Sequence, residues 1–226
     1  MILRRSATPT DVGSRAVSHT ETAAPYAVPR AVPILDIAAK SIMVLLLISA
    51  LVDPAAVNLE GKAASARAVG YPLLAFIIPV LWYGWGRDRS FPWIADLMVT
   101  IPCFSDLLGN RIGLYDSVWW FDDLVHFVNT GLIAGAAIML TLTYRATLAE
   151  SVERGLVVGV TSALLWEIAE YFAFLSKHVE RNGAYADTLA DMALGTMGSL
   201  CAALIIHRMW QAQRSVGIRT GEVSRR

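Results

Sequence analysis

Between Asp106 and His126 the chain reads DLLGNRIGLYDSVWWFDDLVH. Four aspartates, an asparagine, two tryptophans and a histidine stand here between two apolar runs, and a hydrophobic chain keeps such polarity beside its apolar segments only under constraint. Two later pieces repeat the theme. WEIAEY, from Trp166 to Tyr171, carries Glu167 and Glu170, and ADTLADM, from Ala186 to Met192, carries Asp187 and Asp191. Carboxylates gathered with one imidazole are the side chains that ligate divalent cations or exchange protons. The candidate metal ligands are therefore Asp122, Asp123, His126, Glu167, Glu170, Asp187 and Asp191. Ligation dominated by oxygen would suit Mg²⁺, Mn²⁺ or Ca²⁺, and direct ligation by His126 would suit Zn²⁺. Carboxylate-bridged two-metal sites in helical bundles are built similarly, but their Glu-x-x-His pair is absent, which counts against a di-iron centre.

Each of these residues also has a plainer role. Asp122 and Asp123 open an apolar run, where one of them is expected to cap a helix and meet its positive end. A lone His126 is more often a hydrogen-bonded structural histidine than a ligand. Asp106 and Asp116 flank GN and GLY, so a turn role is expected for both. Asp36 and Lys40, one turn apart, read as a local ion pair with a snorkelling lysine. His178 and Glu180 read as solvated loop residues, His207 as interfacial, and Asp96 has no evident partner. Glu167 resists such explanation, because it lies about 12 Å of helix inside its apolar run.

The elements that must position these groups follow from composition. The 226 residues are 55% hydrophobic and only 17% charged, with a mean hydropathy of +0.50, too apolar for a soluble domain of this size. The expected fold class is all-α, a polytopic membrane bundle of six transmembrane helices. Their apolar runs lie near 34–52, 68–86, 91–108, 121–144, 152–175 and 186–208, each close to the ~20 residues that cross the hydrocarbon. Pro79 is expected to kink the second. Residues 1–33 read as a flexible tail without a cleaved targeting peptide, 34–208 as the membrane domain and 209–226 as a basic tail. Nineteen basic and nineteen acidic residues balance, so nothing favours nucleic acid as a partner, and membrane lipid is the expected surroundings. Cys103 and Cys201 lie in apolar runs and read as small buried hydrophobes. Oligomeric state is not legible.

Charge distribution orients the bundle. With six spans both termini share a side, and that side holds thirteen arginines: 4, 5, 15, 30, 87, 89, 145, 154, 208, 214, 219, 225 and 226. The other side holds Lys62, Arg67, Arg111, Lys177 and Arg181. The positive-inside rule places both termini in the cytoplasm of a bacterial inner membrane. Asp106, Asp116, Asp122, Asp123, Glu167, Glu170, Glu180, Asp187 and Asp191 then meet at the extracytoplasmic side. Spacing aims them inward. Gly155, Gly159, Ala163 and Glu167 recur every four residues, and small residues at that spacing mark close helix contacts. Asp187, Asp191, Gly195 and Gly198 form a second stripe; Asp122, His126 and Asn129 share a face beside Gly131 and Gly135. With few basic side chains near, protonation and metal binding are the two accounts left for this cluster.

FDDLVHF at Phe121 to Phe127, then Gly131, WEIAEY, and DTLADM with Gly198 beyond it resemble the YjdF-like bacterial inner-membrane proteins. The pattern is also similar to VanZ-like proteins, where Asp-x-x-x-His, Glu-x-x-Gln and Asp-x-x-x-Asn-x-x-Gly follow in that order. By position, Asp122 or Asp123 with His126 matches the first element, Glu167 the second and Asp191 with Gly198 the third. Glu170 stands in place of Gln and Gly195 in place of Asn. The resemblance covers residues 104–205 and implies an integral membrane protein. Its VanZ-like branch implies an association with the cell envelope and glycopeptide resistance. Three functions fit: a divalent-metal-dependent enzyme acting on an envelope or lipid-linked head group, a proton- or ion-coupled transporter, and a non-catalytic membrane component.

Overall fold

The computed structural model describes residues 28–173 and 184–223, with the side chains of the last helix described as far as Ser215. Lys177, His178, Glu180 and Arg181 lie outside the described residues, as do the first 27. Among the described residues every regular element is helical. Large apolar side chains such as Leu45, Val69, Leu73, Val157, Leu165 and Ile205 are exposed, while Asp36, Lys40, Asp96, Asp106, His126, Glu167 and Asp191 are buried. That inversion of the usual soluble pattern suits a bundle solvated by lipid, in which polar groups must find partners inside.

Helix α1 is Ala31–Val52. It stops at Asp53-Pro54, where the Asp53 side chain accepts from the amides of Ala55 and Ala56 and turns the chain into a short 3₁₀ segment, Ala55–Val57. α2 (Ala64–Ala75), α3 (Ile77–Leu81) and a π-helical turn, Trp82–Gly86, form one apolar stretch bent by 45°. The bend falls at Phe76, ahead of Pro79, because the Pro79 ring excludes the carbonyl four residues before it from the helical ladder. α4 is Trp93–Arg111 and α5 the single turn Leu114–Ser117. α6 is Phe121–Thr141. α7, Leu148–Ala173, begins at a capping box: the Thr147 amide donates to Glu150 Oε2 at 2.7 Å, and the Glu150 amide to Thr147 Oγ1 at 3.2 Å. α8 runs unbroken from Ala184 to Val223, well past residue 208, and buries Trp210 against Ala146, Ile138 and Ile206.

Six apolar runs were expected to cross the membrane. Four helices (α1, α6, α7 and α8) are long and apolar enough by themselves, and the bent α2–α3 stretch makes a fifth. The sixth run forms α4, whose Asp96, Asp106 and Arg111 take it out of that class. Its polar groups are instead internal, since α4 packs between α1 and α6 and buries Asp96, Thr100, Asp106 and Asn110.

Small residues bring α6, α7 and α8 together. The buried positions of α7 are Ser151, Gly155, Gly159, Ala163 and Glu167, one stripe at the spacing of four seen in the sequence. Across it, a Cβ at Gly155 would stand 3.2 Å from the Ser199 carbonyl oxygen. α6 and α8 are closer still, with their backbones in contact at Gly131 and Gly198. Cys103 is buried as expected, whereas Cys201 is exposed on α8, in an apolar pocket that Gly131 and Gly198 also line.

Candidate functional site

His126 is the hub of a cluster where the start of α6, the end of α7 and the start of α8 meet. Its Nε2 lies 3.6 Å from Asp122 Oδ1, one turn earlier on α6, and 3.8 Å from Asp191 Oδ2 on α8. Its Nδ1 lies 3.6 Å from Glu167 Oε1 on α7. His126, Glu167 and Asp191 are buried, and Asp122 is half exposed. Two triads of ligand atoms, Asp122 with His126 and Asp191, and His126 with Glu167 and Glu170, each fall within 4.8 Å of one another. Three of the four carboxylates thus face the two nitrogens of one imidazole at separations beyond an ordinary hydrogen bond. Two donors each about 2.1 Å from a tetrahedral ion lie about 3.4 Å apart, close to the separations found here. Glu167 Oε1 is buried without any hydrogen-bond partner, a costly state for a carboxylate oxygen with nothing to bind.

The seven candidate ligands divide on this geometry. Asp122, His126, Glu167, Glu170 and Asp191 come together, whereas Asp123 and Asp187 stand outside both triads. Asp187 is exposed one turn before Asp191. Neither Asp122 nor Asp123 caps α6, whose N-cap position is Trp120 with no side-chain hydrogen bond; both sit in its first turn, where the dipole favours acids. Asn129 leaves the His126 face and accepts from Ser105 of α4 at 3.2 Å.

A second polar knot adjoins the first. Asp106 is not a turn residue: it lies inside α4, 4% exposed. There Arg67 Nε donates to it at 2.8 Å, Tyr71 Oη at 2.6 Å and Tyr115 Oη at 3.2 Å, and Asn110 caps the group at 3.4 Å. Arg67 and Tyr71 are one turn apart on α2 and share a face, a pairing that the sequence does not single out. Between α2 and α7 lies a pocket of about 160 Å³ whose polar lining is Arg67, Tyr71 and Glu170, with Trp166 over small residues such as Ala66, Gly70 and Ala169. Glu170 therefore faces both the His126 cluster and this pocket. Asp116 does keep a turn role, tying α5 to the α1–α2 connection through Asn58 and Lys62; those donors hold its carboxyl below the usual aspartate range.

At the opposite ends of the helices, Lys40 does not snorkel. It is buried, keeps its bond to Asp36 and reaches Asp96 of α4 at 2.6 Å, supplying the partner that the sequence did not reveal. His207, expected at the interface, is buried with Nε2 2.9 Å from Gln211 Nε2.

The fold and the placement of polar groups define a multi-pass α-helical membrane protein with an internal cluster of ionisable side chains. The chain belongs to the DUF2238 family of predicted membrane proteins, whose match spans residues 37–212, and YjdF-like is a name used within that family. No curated protein and no solved structure matches it.

Proposed function

We propose that this protein is a six-span bacterial inner-membrane protein, with both termini cytoplasmic, that binds a divalent cation through Asp122, His126 and Asp191 and uses it on an envelope or lipid-linked head group. The observation that carries this reading is the ring of carboxylate oxygens at 3.6 to 3.8 Å around both nitrogens of His126, with Glu167 Oε1 left without a partner. Two oxygens and one nitrogen suit Zn²⁺ or Mn²⁺ and leave coordination positions for water or substrate. Glu167, on the far nitrogen of His126, takes the role of the carboxylate that orients a ligating histidine. Glu170, between the cluster and the pocket beside Arg67, is placed to accept a proton from water attacking a head group in that pocket.

The six-span arrangement is supported by α4. Nineteen residues long, it reaches about 28 Å at 1.5 Å per residue, and both of its buried aspartates are paired inside the bundle. The thirteen-to-five excess of basic residues supports cytoplasmic termini. The motif order shared with VanZ-like proteins supports an envelope substrate.

The test is metal content. Protein purified in mild detergent is expected to carry about one equivalent of Zn²⁺ or Mn²⁺, to lose it in His126→Ala and Asp191→Asn, and to keep it in Asp123→Asn. Metal-free wild type that takes up neither ion on addition, with unchanged thermal stability, would show the cluster to be a hydrogen-bonded or protonated network.

A further inference from the structure

We propose that Asp36, Lys40, Asp96 and Thr100 form a proton-binding site between α1 and α4, holding one proton between the two carboxyls in addition to the ammonium of Lys40. The site is separate from the His126 centre and does not rest on the function proposed for it. Lys40 Nζ donates to Asp36 Oδ1 at 2.9 Å, to Asp36 Oδ2 at 2.8 Å and to Asp96 Oδ2 at 2.6 Å. Asp36 and Asp96 are each 1% exposed, Thr100 is 0% and Lys40 8%. Two carboxylates against one ammonium leave an excess negative charge in a sealed space, and such a group takes up a proton rather than bury the charge. The ammonium already stands among the carboxylate oxygens where a metal ion would have to sit.

The hydroxyl of Thr100 closes the site. It donates to Asp36 Oδ1 at 2.7 Å, while the backbone carbonyl of Asp96, 2.9 Å from the same oxygen, is the helical acceptor of the Thr100 amide and needs no hydrogen from the hydroxyl. Asp36 thus accepts from both Lys40 and Thr100, and Asp96 accepts from Lys40 at Oδ2 and keeps Oδ1 buried without a partner.

Nothing else on the surrounding elements alters this charge count. α1 contributes Asp36 and Lys40, and α4 contributes Asp96 and, farther along, the thiol of Cys103. The bent segment brings Phe76, whose ring centre is 5.8 Å from Lys40 Nζ, and Ile78. α6 meets this level of α4 through Ala136. Removal of the proton would leave a net charge in the α1–α4 contact, so proton release and loosening of α1 from α4 are coupled.

Infrared spectroscopy of the purified full chain tests this, because a protonated carboxyl absorbs apart from a carboxylate. Asp36→Asn and Asp96→Asn each leave one acid and one ammonium, so each is expected to lose one protonated-carboxyl equivalent and no carboxylate equivalent relative to wild type. Lys40→Met is expected to gain one protonated equivalent. Thr100→Val keeps all three ionisable groups and is expected to leave both counts unchanged. Loss of a carboxylate equivalent in the two Asn variants, or no gain of a protonated equivalent in Lys40→Met, which preserves the test if an Asn variant fails to fold, would overturn the proposal.

Discussion

Replacing Gly198 by alanine should separate α6 from α8 and damage the His126 centre at a distance. A Cβ at Gly198 would stand 1.9 Å from the carbonyl oxygen of Phe127, where real contacts do not fall below 3.0 Å. The obstacle is backbone, so no side chain can rotate away and the helices must part by about 1 Å at that level. Gly131 cannot absorb the shift, since its own Cβ position is already 2.9 Å from the Gly198 carbonyl oxygen. Overpacking of this kind costs about 1–3 kcal/mol, against a gain of about 1 kcal/mol from replacing a helical glycine. Because the obstacle is backbone, the upper part of that range applies, about 2–3 kcal/mol, and a net loss of about 1–2 kcal/mol is expected. Phe127 is next to His126, so the same displacement pulls Nε2 away from Asp191 on α8, now 3.8 Å distant. Thermal or denaturant unfolding in detergent measures the first effect, and bound metal the second. Gly84→Ala, in a helical turn with nothing within 4 Å, serves as the control and should lose no stability, gaining up to about 1 kcal/mol, with bound metal unchanged. A Gly198→Ala protein as stable as wild type would refute the close α6–α8 crossing on which the site's geometry depends.

Other perturbations separate the roles of neighbouring groups. Arg67→Ala leaves Asp106 buried without its cation and should cost about 3 kcal/mol, the lower end for a broken buried pair, because Tyr71, Tyr115 and Asn110 still donate to it; Tyr71→Phe should cost about 1.5 kcal/mol in the same unfolding assay. Glu167→Gln should weaken metal binding about 10- to 100-fold through loss of orientation of His126, read by titration with a metal-sensitive dye, whereas Asp191→Asn should abolish stoichiometric binding. Asp116 is held ionised by Asn58 and Lys62, so its folded-state proton affinity is below that of the unfolded chain. Its contribution is therefore present above the usual aspartate range and is lost as pH falls through its depressed value. The carboxyl carbon of Asp116, followed by NMR, should titrate below a free aspartate and move back toward it in Asn58→Ala.

Much of the site was legible because helical spacing fixes direction. The run Gly155, Gly159, Ala163, Glu167 has no other periodic reading, and a polar residue continuing a small-residue stripe must share its buried face. The same logic placed Asp191 above Gly195 and His126 beside Gly131. Partnership between helices distant in sequence was not legible. Nothing in α1 says that Lys40 reaches Asp96, and nothing in α2 says that Arg67 and Tyr71 converge on Asp106, because those contacts depend on which helices are neighbours and on their rotation. Asp106 was misread for a related reason: the GN and GLY that follow it signal a turn, but α4 continues to Arg111 before the turn begins. The sixth span falls short of the others in hydropathy at the same helix, whose buried acids lower it although their charges are met inside.

The three buried acidic groups can be compared by what balances them. Asp106 has the Arg67 guanidinium and three further hydrogen-bond donors, Tyr71, Tyr115 and Asn110, and is complete. Asp36 and Asp96 have one ammonium between them, short by a single positive charge, and a proton corrects that. Around His126 stand Asp122, Glu167, Glu170 and Asp191 with, among the described residues, one imidazole to meet them. Even a charged imidazole would leave that group short by more than one positive charge, and Asp122 alone is open enough for water to compensate. Protons on two or three of the acids would restore neutrality, but would not by themselves give the buried Glu167 Oε1 a hydrogen-bond partner. The divalent ion proposed among Asp122, His126 and Asp191 would supply charge on the Nε2 side and leave the Nδ1 hydrogen of His126 directed at Glu167 Oε1.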